Sequence, residues 1–130
     1  MLGNALAAVA SGGALGAVAR FITVITLQNF LGTRFGFGTM IVNTIGSFLA
    51  GLFMVFILER YAGNDSLRLF LVVGFLGGYT TFSSFSWETW VHFENGEYLL
   101  SFLNVVSNNV ASLLAVFLGV IFGRWLGSII

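Results

Sequence analysis

The sequence predicts an all-α integral membrane protein with four transmembrane helices. Of its 130 residues, 58% are hydrophobic and only 8% are charged, whereas a soluble domain has about a quarter of its residues charged. Four apolar runs each approach the length of about 20 residues that crosses a bilayer as a helix. Charged and turn-forming residues gather between these runs. The chain is therefore expected to lie in lipid for most of its length.

The four runs form a single membrane domain over residues 1–130. They cover residues 5–27, 39–58, 69–87 and 98–122, with polar connections at 28–38, 59–68 and 88–97. The only histidine, His92, falls in the third connection, where we expect an exposed loop residue. Glu88 follows the third run directly, and there an interfacial or capping role is expected.

The first span combines small residues with one charge. Gly12 and Gly16 share a helix face and predict close packing against another helix. Arg20 is the only charged residue of the span, and its long stem allows the guanidinium to reach the interface. A proton-coupled exporter of the small multidrug type would need a carboxylate here. The absence of an acid in the span counts against that class.

The second span carries a polar stripe, because Thr39, Asn43 and Ser47 recur at every fourth position. Gly46 and Ala50 add a small-residue pair of the kind that admits a neighbouring helix. Asn and Ser within membranes often serve only to join helices by hydrogen bonds. The alternative is that the stripe lines a path for a hydrogen-bonding solute.

The third span predicts a broken helix near residues 77–81. Two adjacent glycines, Gly77 and Gly78, lower helix propensity by about 1 kcal/mol each. The hydroxyls that follow in residues 80–86 satisfy backbone groups that an unwound turn leaves free. Breaks of this kind hold ions in transporters and channels. A glycine pair that merely admits a neighbouring helix is the alternative.

The fourth span repeats the polar pattern of the second. Its stripe comprises Ser101, Asn104, Asn108 and Ser112. Two long stripes on different helices favour a path over simple interhelical bonding. Neither stripe contains a carboxylate or a lysine, so the donors suit a small anion or a neutral polar solute rather than a proton or a cation.

The arginines predict no firm orientation in the membrane. Arg60, Arg68 and Arg124 lie on one predicted side, against Arg34 and, if it extends that way, Arg20 on the other. Because arginine excess marks the cytoplasmic side, such a weak bias does not select one topology. A four-helix chain is also small to enclose a pore alone, so an oligomer is expected.

Asn43 together with the third-span sequence GFLGGYTTFSSFS resembles the Fluc (CrcB) family of fluoride channels, over essentially the whole chain. The resemblance implies a fluoride-selective channel that passively exports cytoplasmic fluoride and confers fluoride resistance. It further implies an antiparallel, dual-topology homodimer in the prokaryotic cell (inner) membrane, with a central structural sodium ion at the dimer interface.

The resemblance also implies roles for individual residues. Backbone carbonyls of Gly77 and Thr80 from both subunits would bind the sodium ion. Arg20 would lie near an aqueous vestibule. The anion path would use Asn43, Phe82, Phe85, Ser83, Ser84, Asn104, Asn108 and Ser112. The chain departs from the family pattern at Asn104, where an aromatic or small residue is usual, and at Asn108, where Ser is usual. The departure bears on the ion path rather than on the class.

Other function classes fit less well. A non-transporting membrane scaffold would not need polar stripes on two spans and a broken third. An enzyme is disfavoured because the chain has no Cys and offers no nucleophile with an adjacent base. The formal net charge is zero, with no basic run, so nucleic acid is not expected as a partner.

Overall fold

A computed structural model describes residues 1–130 and contains helices but no strands. The first two helices are α1 (Leu2–Leu31) and α2 (Phe37–Arg60), and the last is α6 (Tyr98–Ile129). The third region consists of α3 (Asp65–Arg68), a π-helical segment (Leu69–Leu76), α4 (Gly77–Tyr79) and α5 (Phe82–Glu94). Four helical stretches are long and apolar enough to cross a membrane, which confirms the predicted four-span, all-α class.

The third span is broken, as predicted, but the break falls after the glycine pair. Gly77 and Gly78 still form a helical turn, whereas Thr80 has ψ 156° and Thr81 has φ −149° and ψ 114°. β-branched residues favour this extended region. The Thr81 hydroxyl then accepts a hydrogen bond from the Ser84 backbone N–H at 3.1 Å, and this N-cap restarts the helix as α5.

Small residues bring the helices together. A methyl group added at Gly12 would meet the carbonyl oxygen of Phe70, and one added at Gly16 would meet that of Phe75. These two glycines seat α1 against the π-helical segment. The interface between α2 and α6 is equally close at Gly51. The close packing predicted for the first span is therefore observed.

The interior of the single chain is unusually polar. Only 21 of the 130 residues are buried. The buried polar or charged residues are Thr39, Thr81, His92, Ser101, Asn104 and Asn108. Large apolar side chains of α1 and α6 point outward instead, which suits lipid or a second protein chain but not water. Polar groups therefore gather where the third span is broken, between α2 and α6.

The expectation for His92 is wrong. His92 lies within α5, which continues to Glu94, and its side chain is buried. Its Nδ1 lies 3.1 Å from Oε1 of Glu97, and its ring stacks on Phe35 with centroids 6.0 Å apart. The helix outlasts the apolar run because this polar contact and ring stack cover the side chain.

Candidate ion pathway

Asn43 of α2 holds the break in the third span directly. Its Nδ2 donates to the Thr81 carbonyl at 3.0 Å, while its Oδ1 accepts from the Thr81 N–H at 2.8 Å. Both backbone groups of Thr81 are freed by the break, and unpaired backbone groups are costly inside a membrane. The amide of Asn43 therefore replaces the hydrogen bonds that a continuous helix would have made.

A groove of about 260 Å³ opens beside the break. We call it the phenylalanine groove, lined among others by Asn43, Ser47, Phe82, Phe85, Asn108 and Ser112. It thus brings together five of the residues predicted for the anion path. Asn109 also lines this groove. Sequence reasoning missed Asn109 because it lies off the stripe of α6.

The two phenylalanines form an edge-to-face pair. Their ring centroids are 5.1 Å apart and their planes meet at 72°. Phe82 is 75% exposed, whereas Phe85 is 7% exposed. The edge of an aromatic ring carries partial positive charge. Ring edges at this groove are therefore suited to an anion that has lost part of its hydration.

A second groove, of about 500 Å³, lies on the other side of Thr81. We call it the arginine groove, lined among others by Arg20, Thr39, Thr81, Ser83, Ser84 and Glu88. Arg20 therefore faces the same space as the two serines predicted for the path. Thr81 lines both grooves, so the extended backbone of the break separates one polar recess from the other.

Glu88 faces the arginine groove instead of capping the helix. It lies inside α5, and its Oε2 accepts a hydrogen bond from the Thr39 hydroxyl at 3.0 Å. Its Oε1 is buried without a hydrogen-bond partner. The absence of a side chain at Gly36 leaves space for the carboxylate, since a Cβ added at Gly36 would lie 2.5 Å from Oε2 of Glu88. Glu88 follows Ser84 by four residues, and this spacing could have predicted that the two side chains share one face of the helix.

Asn104 lies outside both grooves. It has 0% exposure, and its Nδ2 donates to Thr89 Oγ1 at 2.9 Å and to the Phe85 carbonyl at 3.3 Å. Ser101 donates to the Thr89 carbonyl at 2.9 Å. Ser101 and Asn104 of the α6 stripe therefore attach α6 to α5. Only Asn108 and Ser112 of that stripe reach the phenylalanine groove.

The carbonyl groups of Gly77 and Thr80 are available for a cation. No hydrogen-bond donor of the chain reaches either oxygen, although Thr80 itself donates from its N–H to the Leu76 carbonyl at 2.9 Å. The space beside Gly77 is open, because the only atom within 4.0 Å of a methyl group added there would be the Val72 carbonyl oxygen. Carbonyl oxygens of unwound helices are ligands of sodium in membrane proteins, so this donor set fits that ion.

A membrane-spanning helical chain with a break between two polar grooves defines a transport protein of the bilayer. Residues 7–120 match a family described as CrcB-like protein, Camphor Resistance (CrcB). The match covers most of the chain. The chain belongs to the CrcB family.

Curated relatives support the same assignment. The chain is 47% identical over 118 residues to the Fluoride-specific ion channel FluC of Legionella pneumophila (strain Paris), covering 91% of this chain and 88% of that protein. It is 43% identical over 119 residues to the protein of the same name from Hydrogenovibrio crunogenus, covering 92% and 90%. A relative from Sulfurihydrogenibium sp., again so named, is 40% identical, with coverage of 91% and 95%.

Proposed function

We propose that this chain is a fluoride-selective ion channel, and not an enzyme, that passively exports cytoplasmic fluoride and so confers fluoride resistance. The observation that carries the proposal is the Thr80–Thr81 break between two polar grooves in a chain whose relatives are fluoride-specific channels. Neither stripe supplies a titratable group for proton coupling, which suits passive flow. Fluoride that enters as neutral HF ionises in the cytoplasm and leaves through the channel as the anion.

The anion path runs through groups that stabilise a small anion without a full shell of water. In the arginine groove, the charge of Arg20 draws anions toward Ser83 and Ser84. In the phenylalanine groove, Phe82 and Phe85 offer ring edges. Ser112 adds a hydroxyl to that groove, and Asn43 and Asn108 form part of its wall. A channel needs each site to be favourable to enter and weak enough to leave, and ring edges and hydroxyls meet both conditions.

The functional unit in this proposal is an antiparallel homodimer in the prokaryotic cell (inner) membrane. The exposed apolar faces of the chain, the open space at Gly77 and the weak arginine bias support it. Two copies related in this way form an inverted repeat, in which a special site lies at the interface near the midplane. Carbonyls of Gly77 and Thr80 from both copies would hold the structural sodium ion there.

Fluoride efflux from liposomes containing Phe82→Ile or Phe85→Ile tests the proposal. Isoleucine keeps the apolar bulk of the side chain but has no ring edge. Each variant is expected to lose most of the fluoride flux of the unchanged protein. Phe117→Ile is the matched control, since Phe117 is 67% exposed on α6 and lines neither groove. Full-rate efflux through both variants would overturn the assignment of the path.

A further inference from the structure

We propose that Asn43, Asn108 and Asn104 form a continuous hydrogen-bonded series of side-chain amides, the amide brace, that positions the break and donates nothing to the permeating anion. Two of its three residues, Asn104 and Asn108, are the positions where this chain departs from the family pattern. Its structural part stands on hydrogen bonds, and its consequence for conduction rests on the proposed function.

Every amide hydrogen of the brace is used within the protein. Asn43 Nδ2 donates to the Thr81 carbonyl at 3.0 Å and to Asn108 Oδ1 at 3.1 Å. Asn108 Nδ2 donates to the backbone carbonyl and to Oδ1 of Asn104, at 3.0 and 2.9 Å. Asn104 Nδ2 donates to Phe85 and Thr89. A side-chain amide has two N–H donors, so none of the three has a hydrogen left for an anion.

Backbone atoms settle which way each amide points. The Thr81 N–H can only donate, so the atom of Asn43 that it meets is Oδ1. The carbonyls of Asn104 and Phe85 can only accept, so the atoms that meet them on Asn108 and Asn104 are the Nδ2 groups. Reversing any one amide would set two donors or two acceptors against each other. The direction of the brace is therefore unambiguous.

The brace joins three helices across the break. It begins at the backbone of Thr81, passes from α2 to α6, and ends at the Phe85 carbonyl and the Thr89 hydroxyl of α5. Phe82 lies between its two attachment points on the third span. Two of the three residues, Asn104 and Asn108, are buried, and a satisfied polar network in a buried position rigidifies the structure around it. The brace thereby sets where the rings of Phe82 and Phe85 stand.

Other groups must then supply hydrogen-bond donors to the anion. Ser47 and Ser112 line the phenylalanine groove, and neither hydroxyl is hydrogen-bonded to another group of the chain. Asn109 uses one hydrogen toward the Val105 carbonyl at 2.7 Å, which leaves the other free. In this chain the anion path therefore uses hydroxyls and ring edges, while Asn104 and Asn108 act as positioning residues.

The test combines fluoride efflux with hydrogen–deuterium exchange of the reconstituted protein. Asn104→Leu keeps the size of the side chain but removes the end of the brace. We expect the efflux rate to fall at least about tenfold, since a buried network loses its partners. We also expect faster exchange in the peptide covering residues 80–86. Asn43→Ala combined with Asn104→Leu is expected to be no worse than the single variants, because both act on one network.

Thr26→Val is the control, because Thr26 bonds only within its own helix and lines neither groove. Unchanged exchange in Asn104→Leu, or unchanged efflux, would overturn the brace. If Asn104→Leu does not assemble, hydrogen–deuterium exchange of residues 80–86 in Asn108→Ser answers the same question, since a serine side chain cannot span the brace. Unchanged exchange of residues 80–86 in Asn108→Ser would then overturn it. If the unchanged protein passes no fluoride, the proposed function fails, while the exchange measurement still decides the structural claim.

Discussion

Individual polar side chains divide into those that hold the fold and those that remain free. Both the nitrogen and the oxygen of the Asn43 side-chain amide are hydrogen-bonded to the backbone of Thr81. Asn104 is buried and lines neither groove. Ser112, four residues beyond Asn108, has no partner in the chain and faces the phenylalanine groove. Asn104 and Asn108 are buried and fully hydrogen-bonded, so they support the structure, whereas the half-buried hydroxyl of Ser112 is free to contact the permeating anion.

The stripes on α2 and α6 could be predicted from spacing alone, because one helix face repeats every three or four residues. Which atoms of a stripe are satisfied could not, because that depends on a backbone break in a third element. Glu88 and His92 were misplaced for a related reason. Their polarity suggested a loop, but Thr39 and Glu97 provide partners that keep them inside the helical structure.

Ser112→Ala tests the division at the residue scale. The hydroxyl is free to donate to an anion, and a hydrogen bond to a charged group contributes about 1.5–3 kcal/mol. Fluoride efflux from liposomes is expected to fall about tenfold, which corresponds to about 1.4 kcal/mol. Exchange in residues 80–86 should stay unchanged because Ser112 does not belong to the amide brace. Efflux equal to that of the unchanged protein would show that this hydroxyl is not on the path.

At the scale of elements, the third span owes its shape to the helices on either side. Its π-helical part, Leu69–Leu76, lies on α1 across glycine contacts. The break itself rests on Asn43 of α2, and α5 is attached to α6 through Asn104. The sequence indicated a break because of the glycine pair, yet Gly78 lies against the Gly13 carbonyl of α1. Glycine allows either unwinding or close approach, and only the packed structure shows which one each glycine provides.

Gly16→Ala tests the close packing of the third span against α1. The added methyl group would collide with the carbonyl of Phe75, which belongs to backbone and cannot turn aside. Overpacking of this kind typically costs about 1–3 kcal/mol, so the midpoint of thermal unfolding in detergent is expected to fall. Gly3→Ala is the matched control on the same helix, because nothing lies within 4 Å of its added methyl group. Equal stability of the two variants would contradict the close packing.

For the whole molecule, an inverted distribution of polarity connects structure with function. Apolar side chains of α1 and α6 cover much of the outside, while polar residues occupy the interior around the break. The four-span class followed from composition and run length, since the bilayer imposes both. Composition and run length do not predict whether two chains pair, because an apolar surface suits lipid and protein alike. The homodimer and its sodium ion therefore remain proposals, supported by the free carbonyls of Gly77 and Thr80.

Anion efflux from liposomes tests the central claim most directly. Purified protein would be reconstituted into vesicles loaded with equal fluoride and chloride, and a potassium ionophore would balance the charge. Ion-selective electrodes would then follow the release of each anion. A passive fluoride-selective channel predicts rapid loss of fluoride, with chloride retained until detergent is added. Chloride release as fast as that of fluoride, or retention of both anions, would contradict the account.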